Sequence, residues 1–267
     1  MIDKKAMKTH IMERMGWTDS TFDKVDWPAL GAALSSFNNS HQVTLVKHCN
    51  NILPIGRMLV HRDDKENPCC MSCNQGVEES FKHMLNCPAH LEKLRSIRTN
   101  LEKSLVALGT PAVLCSTLLC QAFDKEDCPQ RVVREVREDC IAIGQLEMWR
   151  GRVPRSASTA FLSMVRERDA GEVETTAGQW AKGAAKALLR AALDIWWFRN
   201  RQRHGNDKEE EAAFQRRKAL ERCRALSARV TRLKHNANFF MATERLEKWH
   251  TGMILHYLSW AEDLCQK

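Results

Sequence analysis

Apolar residues recur at three- and four-residue steps along most of the chain, the spacing that places them on one face of an α-helix. Between them lie Ala, Leu, Glu, Lys, Arg and Gln, which lose little side-chain freedom in a helix and form it readily. The pattern predicts helices over residues 4–15, 28–36 and 41–52, the last with Val43, Val46, Cys49 and Leu53 in period. Pro28 suits a first helical position and Pro54 a stop. Further helices are expected over 91–108, 111–123, 130–149, 157–168, 179–203, 208–235 and 239–264. In the penultimate one Phe214, Leu220, Leu226, Val230 and Leu233 form the apolar stripe. In the last it is Phe240, Leu246, Trp249, Met253, Leu255, Leu258 and Trp260. Asp207 is placed to cap the helix that follows His204-Gly205, and three glutamates at 209–211 complement its positive end. The expected fold class is mainly α, with a small metal-binding turn–helix module near residues 67–90.

Composition supports the helical reading: 12 Gly and 7 Pro among 267 residues are too few turn-formers for a β-rich fold of this length. The longest apolar stretch, 187–198, is broken by Arg190 and Asp194, whereas a membrane span needs about 18 or more apolar residues in a row. No membrane association is expected. The opening residues, Met1-Ile-Asp-Lys-Lys-Ala-Met-Lys8, contain no apolar signal region. An intracellular protein, nuclear or cytoplasmic, is therefore expected, and its 11 cysteines should be reduced thiols or metal ligands.

One cysteine cluster has ligand spacing. Residues 69–88 read Cys69-Cys-Met-Ser-Cys73-Asn-Gln-Gly-Val-Glu-Glu-Ser-Phe-Lys-His83-Met-Leu-Asn-Cys87-Pro88. Cys70 and Cys73 are close enough to turn both sulfurs to one ion from a tight turn, and His83 and Cys87, four apart, share the face of a short helix. Four such ligands form a closed tetrahedral set suited to structural Zn²⁺, with no position left for a catalytic water. Cys69 competes with Cys70 as first ligand, and His61 or His90 with His83. A second set built from Cys115, Cys120, Cys128 and Cys140 has neither a tight pair nor a nearby His.

The pattern Cys70-Met-Ser-Cys73, Glu79-Ser80, His83 and Cys87-Pro88 resembles the CCHC zinc-binding region downstream of reverse transcriptase and RNase H in non-LTR-type retroelement polyproteins. Met71 stands where that family commonly has Pro. Flanking segments, Val25-Asp-Trp27, Leu53-Pro-Ile-Gly56, Arg150-Gly-Arg-Val153 and the Trp196 to Gly205 stretch, are similar to the surroundings of the knuckle in such proteins. The resemblance implies a retrotransposon-derived C-terminal region without the polymerase: the reverse transcriptase Tyr-x-Asp-Asp loop is missing, since the single Tyr257 is followed by Leu-Ser-Trp. The Pro-Asp motif of an associated endonuclease is missing as well. His204-Gly-Asn206 lacks the hairpin and further histidines of an HNH-type nuclease. No nucleophile with its base and no carboxylate pair stands out, so a non-enzymatic protein is expected.

The formal charge of +8 is concentrated: residues 199–234 hold twelve Lys/Arg against five Asp/Glu. Arg199, Arg201, Arg203, Arg216, Arg217, Lys218, Arg222 and Arg224 lie on two successive expected helices and are candidates to track the phosphates of RNA or DNA. Trp196, Trp197 and Phe198, three large aromatics in a row, are expected to pack in a core. The organisation expected is an N-terminal helical segment 1–66, the zinc module 67–90 and a helical region 91–267 with basic helices. The function expected is a zinc-binding, nucleic-acid-binding segment. The alternative is a zinc-stabilised interaction or scaffold protein that pairs with a protein partner or with itself through its C-terminal helices.

Overall fold

Helices make up most of the chain in a computed structural model, which describes residues 4–60, 68–73, 75–123, 132–168, 176–205, 208–232 and 243–266. No strand occurs among these residues, only isolated bridges at Val25/Pro154 and Cys69/Glu78. The mainly α expectation is met. No described helix is long and apolar enough to cross a membrane. The chain divides into two units, Met1–Trp197 and Phe198–Lys267, so that residues 67–90 belong to the first.

The first unit opens with α1 (Lys4–Met15), α2 (Asp19–Lys24), α3 (Trp27–Leu34), α4 (Asn39–Cys49) and α5 (Gly56–Val60). Side-chain caps set three of these starts: Thr18 accepts from the Thr21 amide, Asp26 from Ala29 and Asn38 from His41, each satisfying a first-turn N–H that has no partner within the helix. The expected stripe holds at Cys49, half-buried, and at Leu53 beyond α4, buried, but not at the two valines. Leu45 and His48 are buried, while Val43 and Val46 are exposed, because the His48 ring Nε2 pairs with the Trp149 carbonyl at 3.0 Å and fixes the helix rotation.

Beyond the Cys/His module, whose helix is α6 (Phe81–Asn86), come α7 (Leu91–Ala107) and α8 (Ala112–Phe123), close to their expected limits. The single helix expected over 130–149 is two, α9 (Arg134–Ile143) and α10 (Gln145–Trp149). Gly144 separates them at φ +102°, which only glycine adopts without strain. α11 (Arg155–Arg168) and the N-terminal part of α12 (Ala177–His204) close the unit. Trp180 stacks on Phe161 with centroids 4.9 Å apart, and its indole N–H donates to Thr110 Oγ1 at 2.9 Å. Trp149 donates to the Ala122 carbonyl at 2.8 Å, so the two largest buried side chains have their polar atoms satisfied.

The turn after α10 carries a buried charge cluster. Glu147 receives both Arg150 and Arg152, and all three side chains are less than a tenth exposed. Gly151, at φ +74°, lets this turn approach α12: a Cβ there would sit 2.8 Å from the Leu189 side chain. Arg152 also lies over the rings of Trp17 and Trp27.

In the second unit α13 (Lys208–Arg232) packs with α14 (Thr243–Leu246) and α15 (Thr251–Gln266) around Ala219, Cys223, Leu246, Ile254 and Leu258. The helix expected over 239–264 is interrupted at 247–250, and its first residues lie outside those described, as does the stretch of the preceding helix beyond 232. Met253, Leu255 and Trp260, expected to pack, are exposed. Leu246 and Leu258 of the expected stripe are buried, and Ile254 and Ala261 complete the inward face of α15.

Candidate metal centre

The Cys/His segment folds as a short pairing, a turn and one helix. Residues 68–70 pair with 77–79: the Cys70 amide donates to the Val77 carbonyl and the Glu79 amide to the Pro68 carbonyl, both at 2.8 Å. Gly76 at φ +66° completes the reversal. Ser80 then caps α6 (Phe81–Asn86), its Oγ accepting from the His83 amide at 3.0 Å. Phe81 and Met84 are the buried face of this helix; Phe81 lies 4.3 Å from the His48 ring and 6.2 Å from that of Trp149, which docks the module on the first unit's core.

The outward turn of α6 presents His83. Cys87 is not on the helix: it is the C-cap, in extended conformation, followed by a 3₁₀ turn over Pro88–His90. The expected helix-face geometry for His83 and Cys87 is therefore replaced by a helix residue and a cap residue, with Pro88 starting the 3₁₀ turn just after the ligand. The convergence is unaffected. One ligand atom each from Cys70, Cys73, His83 and Cys87 lies within 4.8 Å of all the others, so this group could hold a metal ion. Cys70 Sγ is 3.9 Å from Cys87 Sγ, and Cys73 Sγ is 3.5 Å from His83 Nε2.

The competing ligands have other roles. Cys69 points its sulfur to the Gly76 carbonyl at 3.4 Å, and His90 is buried with Nδ1 against the Met84 carbonyl at 3.1 Å. His61 lies outside the described residues, as does Cys128. Cys115, Cys120 and Cys140 are buried thiols that join no such group among the described residues; Cys140 contacts the Met148 sulfur at 3.6 Å.

Ionisable groups of the cluster are shifted in different directions. Burial pushes the Cys87 thiol up to about 12, and the adjacent Cys70 adds to this, so without positive charge nearby the thiol keeps its proton. Cys73 is shifted down, chiefly by a hydrogen bond from the Gln75 backbone. Burial also lowers His83, keeping its imidazole neutral and able to donate an electron pair.

A lock that spacing did not reveal holds the module to α5. The buried Glu79 carboxylate accepts from the Gly56 amide at 2.8 Å, and a Cβ on Gly56 would lie 2.1 Å from the Pro68 carbonyl oxygen. Only glycine fits between α5 and the paired segments of the module. Leu53-Pro-Ile-Gly56 could have signalled a close approach, but nothing local named Glu79 as its partner.

The basic residues differ in exposure and in partners. Arg199 and Arg203 are 2% and 6% exposed. Arg216 donates to the backbone carbonyls of Trp249 and Glu247. Arg222 pairs with Glu262 and Arg224 with Glu247, each at 2.6 Å. Arg201, Arg217 and, despite its ion pair, Arg224 are exposed, and the Lys218 side chain lies outside those described. Trp196 is buried, Trp197 and Phe198 half-buried. No family model matches the chain, and neither a curated protein nor a solved structure does.

Proposed function

We propose that this chain is a zinc-organised, non-enzymatic helical protein that binds nucleic acid, akin to the C-terminal part of a retroelement polyprotein without its polymerase. The observation that carries the reading is the convergence of Cys70, Cys73, His83 and Cys87. Around tetrahedral Zn²⁺, with Zn–S about 2.3 Å and Zn–N about 2.0–2.1 Å, two sulfurs lie about 3.8 Å apart and a sulfur and a nitrogen about 3.6 Å. Two separations, 3.9 and 3.5 Å, fit such a shell, and its sulfur and nitrogen donors favour that ion over harder, oxygen-seeking cations. Four protein ligands close the shell, which favours a structural rather than a hydrolytic role. The retroelement likeness rests on the ligand pattern and its Glu79-Ser80 and Cys87-Pro88 steps.

The excess of Lys/Arg in residues 199–234 supports binding to RNA or DNA by the phosphate backbone. A second reading, a zinc-stabilised interaction or scaffold protein, is favoured by the use of Arg216, Arg222 and Arg224 inside the second unit. Titration of zinc-loaded protein with labelled RNA and DNA at increasing salt separates the two. Binding that weakens steeply with salt supports the nucleic-acid reading, and no binding at low salt refutes it in favour of the scaffold.

A further inference from the structure

Cations with no carboxylate partner stand together in the first unit, outside the basic run. A groove of about 650 Å³ opens there between the start of α4, the end of α7 and the middle of α12. Lys186 and Arg190 line it one turn apart on α12, with His41, Asn38 and Ser104 opposite, and no carboxylate contributes to the lining. Both cations are exposed, and no Asp or Glu among the described residues pairs with either. Lys182 extends the same exposed face by one more turn.

Aromatic rings accompany these charges. Lys186 Nζ lies 5.8 Å from the Phe37 ring, and the Arg190 guanidinium 5.8 Å from the ring of Trp197, which meets His41 at 4.9 Å. His41 and Phe37 line the groove; Trp197 stands behind His41, outside the lining, and both it and His41 are half-buried. The positive end of α4, capped by Asn38, adds to the potential. Unpaired cations beside accessible ring surfaces match a strand whose phosphates are spaced for the cations and whose unstacked bases meet the rings. A duplex hides its bases from such rings.

We propose that the groove lined by Lys186, Arg190 and His41 binds single-stranded nucleic acid, with phosphates on the two cations and a base against His41. The proposal rests on the nucleic-acid reading above but assigns the contact to residues outside the C-terminal basic run. The test is anisotropy of a short labelled oligothymidylate on the full zinc-loaded chain between about 50 and 200 mM salt. The variants are Lys186→Gln/Arg190→Gln, the charge-keeping Lys186→Arg/Arg190→Lys, and Arg201→Gln/Arg217→Gln outside the groove. Each phosphate neutralised in a single strand contributes a slope of about −0.7 to log K against log salt, so losing two flattens it by about 1.4. The affinity gap between wild type and the first variant should then narrow about sevenfold over that range. The charge-keeping variant should behave as wild type, and the melting temperature should stay put because both side chains are exposed.

A strand bound equally well, with equal slope, by the first variant overturns the groove and leaves the nucleic-acid reading standing. Absence of any strand binding overturns both. Equal binding of free thymidine monophosphate or of an oligoglutamate, competing with the strand, overturns the single-strand assignment in favour of a small anion or an acidic peptide.

Discussion

Lowering the pH should expose what His48 does in the core. Its ring is buried between Phe81 of the metal module and the Trp149 carbonyl, and burial, aided by Arg150, lowers its pKa from 6.5 to about 4. The folded state therefore holds His48 neutral while the unfolded chain binds a proton below pH 6.5, so the stability is complete above that value and is lost as pH falls towards 4. Each pH unit crossed between the two values costs about 1.4 kcal/mol, so the loss is about 2 kcal/mol at pH 5 and about 3 kcal/mol at pH 4. Urea unfolding of zinc-loaded protein from pH 7.5 to 5, for wild type and His48→Gln, isolates this contribution, since metal ligands and carboxylates are common to both. The stability difference between the two should shrink by about 2 kcal/mol over that range. A difference independent of pH would refute the account of His48 as a neutral core group.

Two further substitutions test the parts of the fold that support the metal module. Glu147→Gln leaves the buried Arg150 and Arg152 without their carboxylate and should cost about 3–5 kcal/mol in urea unfolding, whereas an unchanged midpoint would mean that the arginines find solvent. Gly56→Ala drives a methyl group into the Pro68 carbonyl and Glu79, so it should lower stability by about 1–3 kcal/mol and weaken metal retention in competition with a chelator; wild-type behaviour in both would remove the lock.

Segments of good helix formers were legible in the sequence, α7 also by its apolar period Leu94, Ile97, Leu101 and Leu105: α1, α7 and α8 lie where the pattern puts them. So was the convergence of Cys70, Cys73, His83 and Cys87, since two close cysteines followed by His and Cys four apart constrain the geometry locally, although Cys87 proves to be a cap rather than a helix residue. What escaped depends on distant partners. The rotation of α4 follows from His48 meeting Trp149, 101 residues away. The break at Gly144 was visible as a residue but not as a conformation, because a lone glycine is tolerated inside a helix. Arg222 and Arg224 read as uncompensated charges until Glu262 and Glu247 were brought beside them, and composition carries no record of such pairing.

The most direct measurement of the central claim is the metal content of protein purified without added zinc, by mass spectrometry under native conditions, beside the Cys73→Ser/Cys87→Ser variant. A structural Cys₃His site predicts one zinc per chain in the parent, none in the variant, and a lower melting temperature when the ion is lost. Parent protein without zinc that also fails to take it up on addition, or zinc retained by the variant, would contradict it.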